Sequence, residues 1–385
     1  MSDIKVAIVY ETVFPEFKGG VERWFQYLAS ELVPEGFDVF YLNTNEVAEI
    51  REKVTFVDVG KTKYSFHLTG KRTIRGTLSY ALALFRYLLK NDFDFLYMSS
   101  FPFLHIWAAK LVRVFKRKKF KIVVEWFEFP SFKFWNREFG LKKGWAGYAI
   151  QEFTARLSDV NVTYLESTQS QLSKRNSKGK TLLKLPGICP TISDNTPIYN
   201  NSDSVDLCQI GRLIPDKNPL ISLDLVNELI RHGWKGRFTF IGSGPMKEEL
   251  LKRISELNLQ TRVFFLENPD DKSKNLILQN SVALVHPSIR EGYGLVIIEA
   301  AALGVPAILI RGEDNKSTEL GISPSLIAES GDVSTLAACV FEAIRNQLTL
   351  SEECLRWITE VSPKMSAAVS ISEIANFMRM IKEEA

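Results

Sequence analysis

"VALVHPSIREGYGLVIIEAAALGVPAILI" occupies residues 282–310. Its two β-type apolar runs, 282–286 and 306–310, flank a glycine-bearing turn and a helical stretch. Strand, turn, helix and strand at this length make a βαβ unit and predict a parallel sheet. Ser288 and Glu291 lie in the turn, Gly292 and Gly294 keep it open, and the helix is expected to begin near Leu295. The free N–H groups and positive dipole end of that helix then point where phosphates bind. Glu299 falls in its second turn, among Leu295-Val296-Ile297-Ile298 and Ala300-Ala301-Ala302. An unpaired buried carboxylate costs several kcal/mol, so Glu299 needs donors, and the two hydroxyls of a ribose suit it. Glu291, outside the helix, is placed to accept from a second sugar.

The same rhythm extends in both directions. "DLCQIG" (206–211), "RFTFIG" (237–242) and "RVFFL" (262–266) read as further strands, with helices such as "PMKEELLKRISEL" (245–257) between them. Upstream, "IKVAIV" (4–9), "FDVFYL" (37–42), "VTFVDV" (54–59), "DFLYM" (94–98), "KIVVE" (121–125) and "VNVTY" (160–164) repeat the pattern. The polar stretch "ISDNTPIYNNSDSVD" interrupts it and reads as a linker. The organisation expected is one α/β domain over 1–190, a linker over 191–205 and a second α/β domain over 206–362. A length of 385 residues with 45% hydrophobic residues supports two cores of this size.

Two more turns carry candidate binding groups. "FKGGVERW" places Gly19 and Gly20 ahead of a helix expected over about 21–33, where backbone N–H groups can approach an anion closely. "IGRLIPDKNP" sets Arg212 and Lys217 across a turn after a strand; a planar guanidinium fork and a mobile ammonium match a diphosphate. The dinucleotide spacing GxGxxG is missing after the first strand, which argues against a nicotinamide oxidoreductase.

These features resemble the retaining family-4 glycosyltransferases of the GT-B fold. "GGVER", "GRLIPDKNP", "FIGSGP" and "HPSIREGYGLVIIEAAALGVPAIL" carry the resemblance, the last with the E(x7)E element as Glu291 and Glu299. It implies two doubly wound Rossmann-like domains facing each other across a cleft, the first on the acceptor side and the second holding a nucleotide sugar. It also implies that the terminal helix, within 363–385, crosses back to the first domain.

By that resemblance Arg212 and Lys217 hold the donor diphosphate, Glu299 the ribose and Glu291 the transferred sugar. Ser288 and backbone N–H groups near Gly294 and Leu295 help at the phosphate, and Gly19 with Gly20 closes the cleft. The implied activity is transfer of a hexose from a UDP- or GDP-sugar to a saccharide or lipid-linked glycan acceptor, with retained configuration and no metal or other cofactor. One position departs from the family pattern. Phe127, between Trp126 and Glu128, stands where the family usually has a histidine near the transferred sugar. That opens the alternative of a catalytically silent nucleotide-binding or scaffold subunit. An epimerase or hydrolase of the same fold is a further possibility.

Composition narrows the rest. The four cysteines form no metal-type spacing, so buried free thiols in a reducing cytosol are expected. Asp270-Asp271 reads as a solvated turn and not a metal site. His67, His105 and His232 read as surface or satisfied core residues, and His286 as lining the donor site. Net charge is only +3, and no nucleic-acid module is visible. Basic residues cluster at Lys61, Lys63, Lys71, Arg72, Arg75 and 116–121, among apolar stretches 76–90 and 101–115. That pattern points to peripheral contact with an anionic membrane from the cytoplasmic side. No apolar run is long enough to span one.

Overall fold

The computed structural model describes residues 4–17, 19–44, 50–60, 73–117, 119–175, 180–189, 205–312, 314–320, 326–329 and 331–384. The chain forms two compact units, Met1–Ile188 with Met365–Ala385, and Cys189–Lys364. The expected linker, 191–205, lies outside the described residues except for Val205, as do Lys61, Lys63, His67, Lys71, Arg72 and Lys118.

The sheet of the first unit contains β1 (Ile4–Val9), β2 (Phe37–Asn43), β3 (Ile50–Arg51), β4 (Val54–Asp58), β5 (Phe95–Ser99), β6 (Lys121–Trp126), β7 (Val160–Thr163) and β8 (Thr181–Lys184). Their order is β3-β4-β2-β1-β5-β6-β7-β8. Pairing is parallel except between β3 and β4. β5, "FLYMS", is buried throughout, as a strand covered on both faces should be.

Helices α1 (Gly20–Leu32), α2 (Ile74–Lys90), α3 (Leu104–Lys116), α4 (Phe132–Thr154) and α5 (Glu166–Ser173) join these strands. In α1, Trp24, Phe25, Leu28, Ala29 and Leu32 form a buried stripe of helical period. Tyr80, Leu84 and Leu88 of α2, Ile106 and Val112 of α3, and Phe134 of α4 share one core with β1, β5 and β6.

The second unit contains β9 (Asp206–Ile210), β10 (Phe238–Ile241), β11 (Val263–Leu266), β12 (Ser281–His286), β13 (Arg290–Glu291), β14 (Ala307–Ile310), β15 (Asp314–Asn315) and β16 (Ile327–Ala328). Six of them form a parallel sheet ordered β11-β10-β9-β12-β14-β16, and β13 pairs with β15 apart from it. Helices α6 (Pro219–Arg231), α7 (Lys247–Glu256), α8 (Asp271–Gln279), α9 (Leu295–Ala302), α10 (Val333–Arg345) and α11 (Gln347–Glu360) complete the unit. Strand order reverses between β9 and β12, so the loops after these two strands meet at the switch point of the sheet. Both units are Rossmann-like, in agreement with the expected fold class.

The final helix, α12 (Ala367–Glu383), belongs to the first unit. Its Ser370 hydroxyl donates to the Gly187 carbonyl. Arg379 reaches the Glu35 carboxylate at 2.6 Å, and Lys382 reaches Asp94 at 2.6 Å. None of the four cysteines forms a disulfide, and all four are buried. Among the described residues no helix is long and apolar enough to cross a membrane.

Candidate functional site

The loop after β9 is shaped by residues without side-chain bulk. Gly211 takes φ +145°, and a Cβ on Gly242 would lie 2.2 Å from the Gly211 carbonyl. A Cβ on Gly244 would lie 2.5 Å from the Leu213 carbonyl. The glycines of "FIGSGP" thus let the loops after β9 and β10 nest. A 3-10 turn over Pro215–Lys217 and left-handed Asn218 then lead into α6, with Pro219 in its first turn. Buried Gln209 donates to the Lys217 carbonyl at 2.8 Å and accepts from Ser222 at 2.7 Å, which fixes the backbone beneath Lys217.

The loop after β12 is held against it. The Ile289 N–H donates to the Asp216 carbonyl at 2.9 Å, and the Arg290 guanidinium lies 3.5 Å from the Asp216 carboxylate. Asn315 donates to the carbonyls of Ser288 and Ile310, both at 2.9 Å, and anchors the segment of β13. Gly294, at φ +78°, caps α9, whose N-terminus has no side-chain cap.

Together these loops bring the Glu291 carboxylate onto the Lys217 ammonium. The ring of buried His286 lies 2.8 Å from the same carboxylate oxygen, and the Ser288 hydroxyl lies 3.1 Å from the same ring nitrogen. Burial opposes ionisation of Glu291, but the Lys217 charge and the His286 hydrogen bond outweigh it and hold the carboxyl well below its usual range. Burial lowers His286, so the imidazole is neutral near pH 7 and donates from Nε2 to Glu291. Arg212 is exposed in the neighbouring loop and makes no ion pair among the described residues.

Glu299, one turn into α9, has a partner that sequence reasoning missed. Its Oε2 lies 2.6 Å from the Lys274 ammonium of α8. Asp270, expected to be a solvated turn residue, caps α8 by accepting from the Ser273 N–H at 2.8 Å. That capping sets the register that points Lys274 at Glu299, a relation no local spacing discloses.

The loops after β9 and β12 and the helix that follows thus carry Arg212, Lys217, Ser288, Glu291, Gly294, Leu295 and Glu299; Lys217, Glu291 and Ser288 meet around His286, and Glu299 is met by Lys274. Cationic side chains in the loop after β9 and an uncapped helix N-terminus are groups that suit a diphosphate, and carboxylates such as Glu291 and Glu299 suit sugar hydroxyls.

Gly19 and Gly20 lie in the first unit, at the N-terminus of α1. Trp24 of α1 donates to the Glu125 carboxyl of β6 at 2.7 Å, and the Tyr164 hydroxyl donates to the same oxygen. Burial pushes Glu125 up to about 8, only partly offset by these bonds. Phe127 stacks on Tyr164, ring centroids 5.8 Å apart, and so continues an aromatic layer with Phe25. Of the remaining histidines, His105 is buried with Nε2 2.9 Å from the Ser99 carbonyl, and exposed His232 pairs with Glu228. Among the described residues no cluster of metal-ligand side chains occurs.

Comparison with known proteins agrees with this architecture. Residues 194–360 match the family model described as "Glycosyl transferases group 1". The chain is 26% identical over 197 residues to UDP-Gal:alpha-D-GlcNAc-diphosphoundecaprenol alpha-1,3-galactosyltransferase of Escherichia coli, covering 50% of this chain and 47% of that protein. It is 31% identical over 122 residues to D-rhamnosyltransferase WbpZ of Pseudomonas aeruginosa, covering 31% of this chain and 28% of that protein. These matches span about half or less of the length of the curated relatives.

Among solved structures, sucrose-phosphate synthase from Thermosynechococcus elongatus superposes with a TM-score of 0.81 at 15% identity, over 99% of this chain and 100% of that one. HepE of Anabaena, crystallised with UDP and glucose, gives 0.72 at 14% identity, over 98% and 100%. The fold is therefore that of the GT-B proteins, and residues 194–360 are similar to the glycosyl transferases group 1.

Proposed function

We propose that the chain is a retaining, metal-independent glycosyltransferase of the family-4 type. It moves a hexose from a UDP- or GDP-sugar to a saccharide or lipid-linked glycan acceptor, in glycan or surface-polysaccharide assembly on the cytoplasmic side. The observation that carries this reading is the convergence of Lys217, Glu291 and the open N-terminus of α9 at the switch point of the family-matched unit. The galactosyltransferase and rhamnosyltransferase relatives support it.

In this reading Arg212 and Lys217 stabilise the charge that develops on the departing diphosphate, assisted by the Gly294–Leu295 backbone. Glu299 accepts from the ribose, and Glu291, kept ionised, accepts from the hexose. Attack at the anomeric carbon breaks its bond to the diphosphate oxygen, and the leaving phosphate takes the acceptor proton. The protein's share is then positioning and electrostatics. The positive charge comes from side chains, so no divalent cation is required.

The first unit supplies a surface for the membrane. α2 exposes Ile74, Leu78 and Leu82 in line with Arg86 and Lys90. α3 exposes Leu111, Val114 and Phe115 before Lys116, Arg117 and Lys119. Neither helix carries an acidic residue, so anionic headgroups are the complementary partner. Flotation with phosphatidylglycerol vesicles, and none with phosphatidylcholine vesicles, is the expected result.

A second reading, a silent nucleotide-binding or scaffold subunit, is favoured only by Phe127. Incubation with UDP- and GDP-hexoses and a lipid-glycan extract separates the two. Acceptor-dependent nucleotide release, with an axial or equatorial anomeric proton matching the donor by NMR, supports a retaining enzyme. Background release with every donor and acceptor supports the silent subunit.

A further inference from the structure

We propose that Lys274 is a positioning residue for the donor nucleotide. It holds one oxygen of Glu299 so that the other meets the paired hydroxyls of a ribose, and it thereby sets a preference for ribonucleotides over 2′-deoxyribonucleotides. This rests on the reading of Glu299 as a donor-site residue.

Lys274 is more enclosed than its partner: its side chain is 13% exposed, against 27% for Glu299. The ammonium lies 2.6 Å from Glu299 Oε2 and 3.5 Å from the Asp271 carboxylate, so two anions from different helices fix its place. Among the described residues the hydrogen bond to Glu299 engages Oε2 alone. A carboxylate has lone pairs for about four donors, so Oε1 retains full capacity and Oε2 part of its own. One oxygen anchored and one open is the arrangement that turns a freely rotating carboxylate into a directed acceptor for a vicinal diol.

Charge leads to the same residue. Glu299 sits one turn from the helix end where the diphosphate binds in the proposed function, and a bare carboxylate there repels a diphosphate. Lys274 cancels that charge, as Lys217 cancels that of Glu291. Arg212 is left as net positive charge for the phosphates.

The test is calorimetric titration of the full chain with UDP and GDP and with their 2′-deoxy forms, comparing the parent, Lys274→Met and Lys274→Arg. The parent should bind the ribo form of its nucleotide about tenfold more tightly than the deoxy form, the scale set by loss of a hydrogen bond to a charged group. In Lys274→Met the ratio should fall to within about twofold, with Lys274→Arg restoring most of it, since a guanidinium can also hold the carboxylate. Thermal melts of the three proteins establish that each is folded.

An unchanged ratio in folded Lys274→Met overturns the inference and leaves a purely structural ion pair. A parent that binds diphosphates without ribose preference also overturns it. A parent that binds neither nucleotide overturns the donor-site reading, and the inference with it.

Discussion

The Lys217 ammonium rests on the Glu291 carboxylate, joining the loops that leave two neighbouring strands of one sheet. Both side chains are largely buried, at 20% and 16% exposure, and His286 donates to the same carboxylate from below. A pair enclosed in this way is weak evidence for stability, because desolvation offsets much of the attraction. It is better understood as charge held ready. Breaking one side leaves the other buried without a counterion.

Lys217→Met should therefore do two things. It should weaken nucleoside diphosphate binding by roughly a hundredfold, and it should destabilise the second unit by about 3 kcal/mol, the scale for orphaning one partner of a buried pair. Titration calorimetry and urea denaturation read the two effects separately.

Glu291→Gln keeps the shape of the site but removes the charge. Turnover should fall by roughly a hundredfold, with nucleotide affinity changed by less than about threefold, because the contact is to the reacting sugar. A loss confined to affinity would move Glu291 out of that role.

Stability should depend on pH in opposite senses at two carboxyls. Glu291 is held below its ordinary value by Lys217 and His286 despite its burial, so its contribution is complete above the unfolded-state pKa and is lost as pH falls toward the folded one. Glu125, raised by burial from 4.5 to about 8, contributes fully below 4.5 and loses that contribution as pH rises to about 8. Urea midpoints from pH 2 to 9 should decline toward both ends in the parent. Glu125→Gln should flatten that decline, while Glu291→Gln should flatten the acid limb.

Gly294→Ala places a Cβ 2.8 Å from Ile297 Cδ1 and 3.0 Å from Ser317 Cβ, at a φ of +78°. Strain and crowding together should cost about 1 to 3 kcal/mol and tilt the start of α9. The melting temperature and the diphosphate affinity should fall together.

Much of the architecture was legible because buried parallel strands read as continuous apolar runs. "VALVH" and "DFLYM" correspond to β12 and β5 within one residue at each end. Short elements were not. β13, β15 and β16 are two residues each and exist through Asn315, Arg290 and the sheet edge. Within the site, strand-to-helix turns announced Lys217, Glu291 and Gly294, since spacing alone locates a turn. Lys274 and His286 were not assigned as partners, because each acts through a side chain that tertiary packing delivers to a carboxylate. The return of the terminal helix to the first unit was implied by the family resemblance, and the contact that makes it, Ser370 on Gly187, is remote in sequence.

The central claim is that the switch point of the second unit holds a nucleoside diphosphate through Arg212, Lys217 and Glu299. Calorimetric titration of the parent chain and of Glu299→Ala with UDP, GDP and ADP tests it most directly. Selective binding of one nucleotide, weakened at least about tenfold in the variant, is the predicted result. Equal binding by parent and variant, or binding of none of the three, would contradict it.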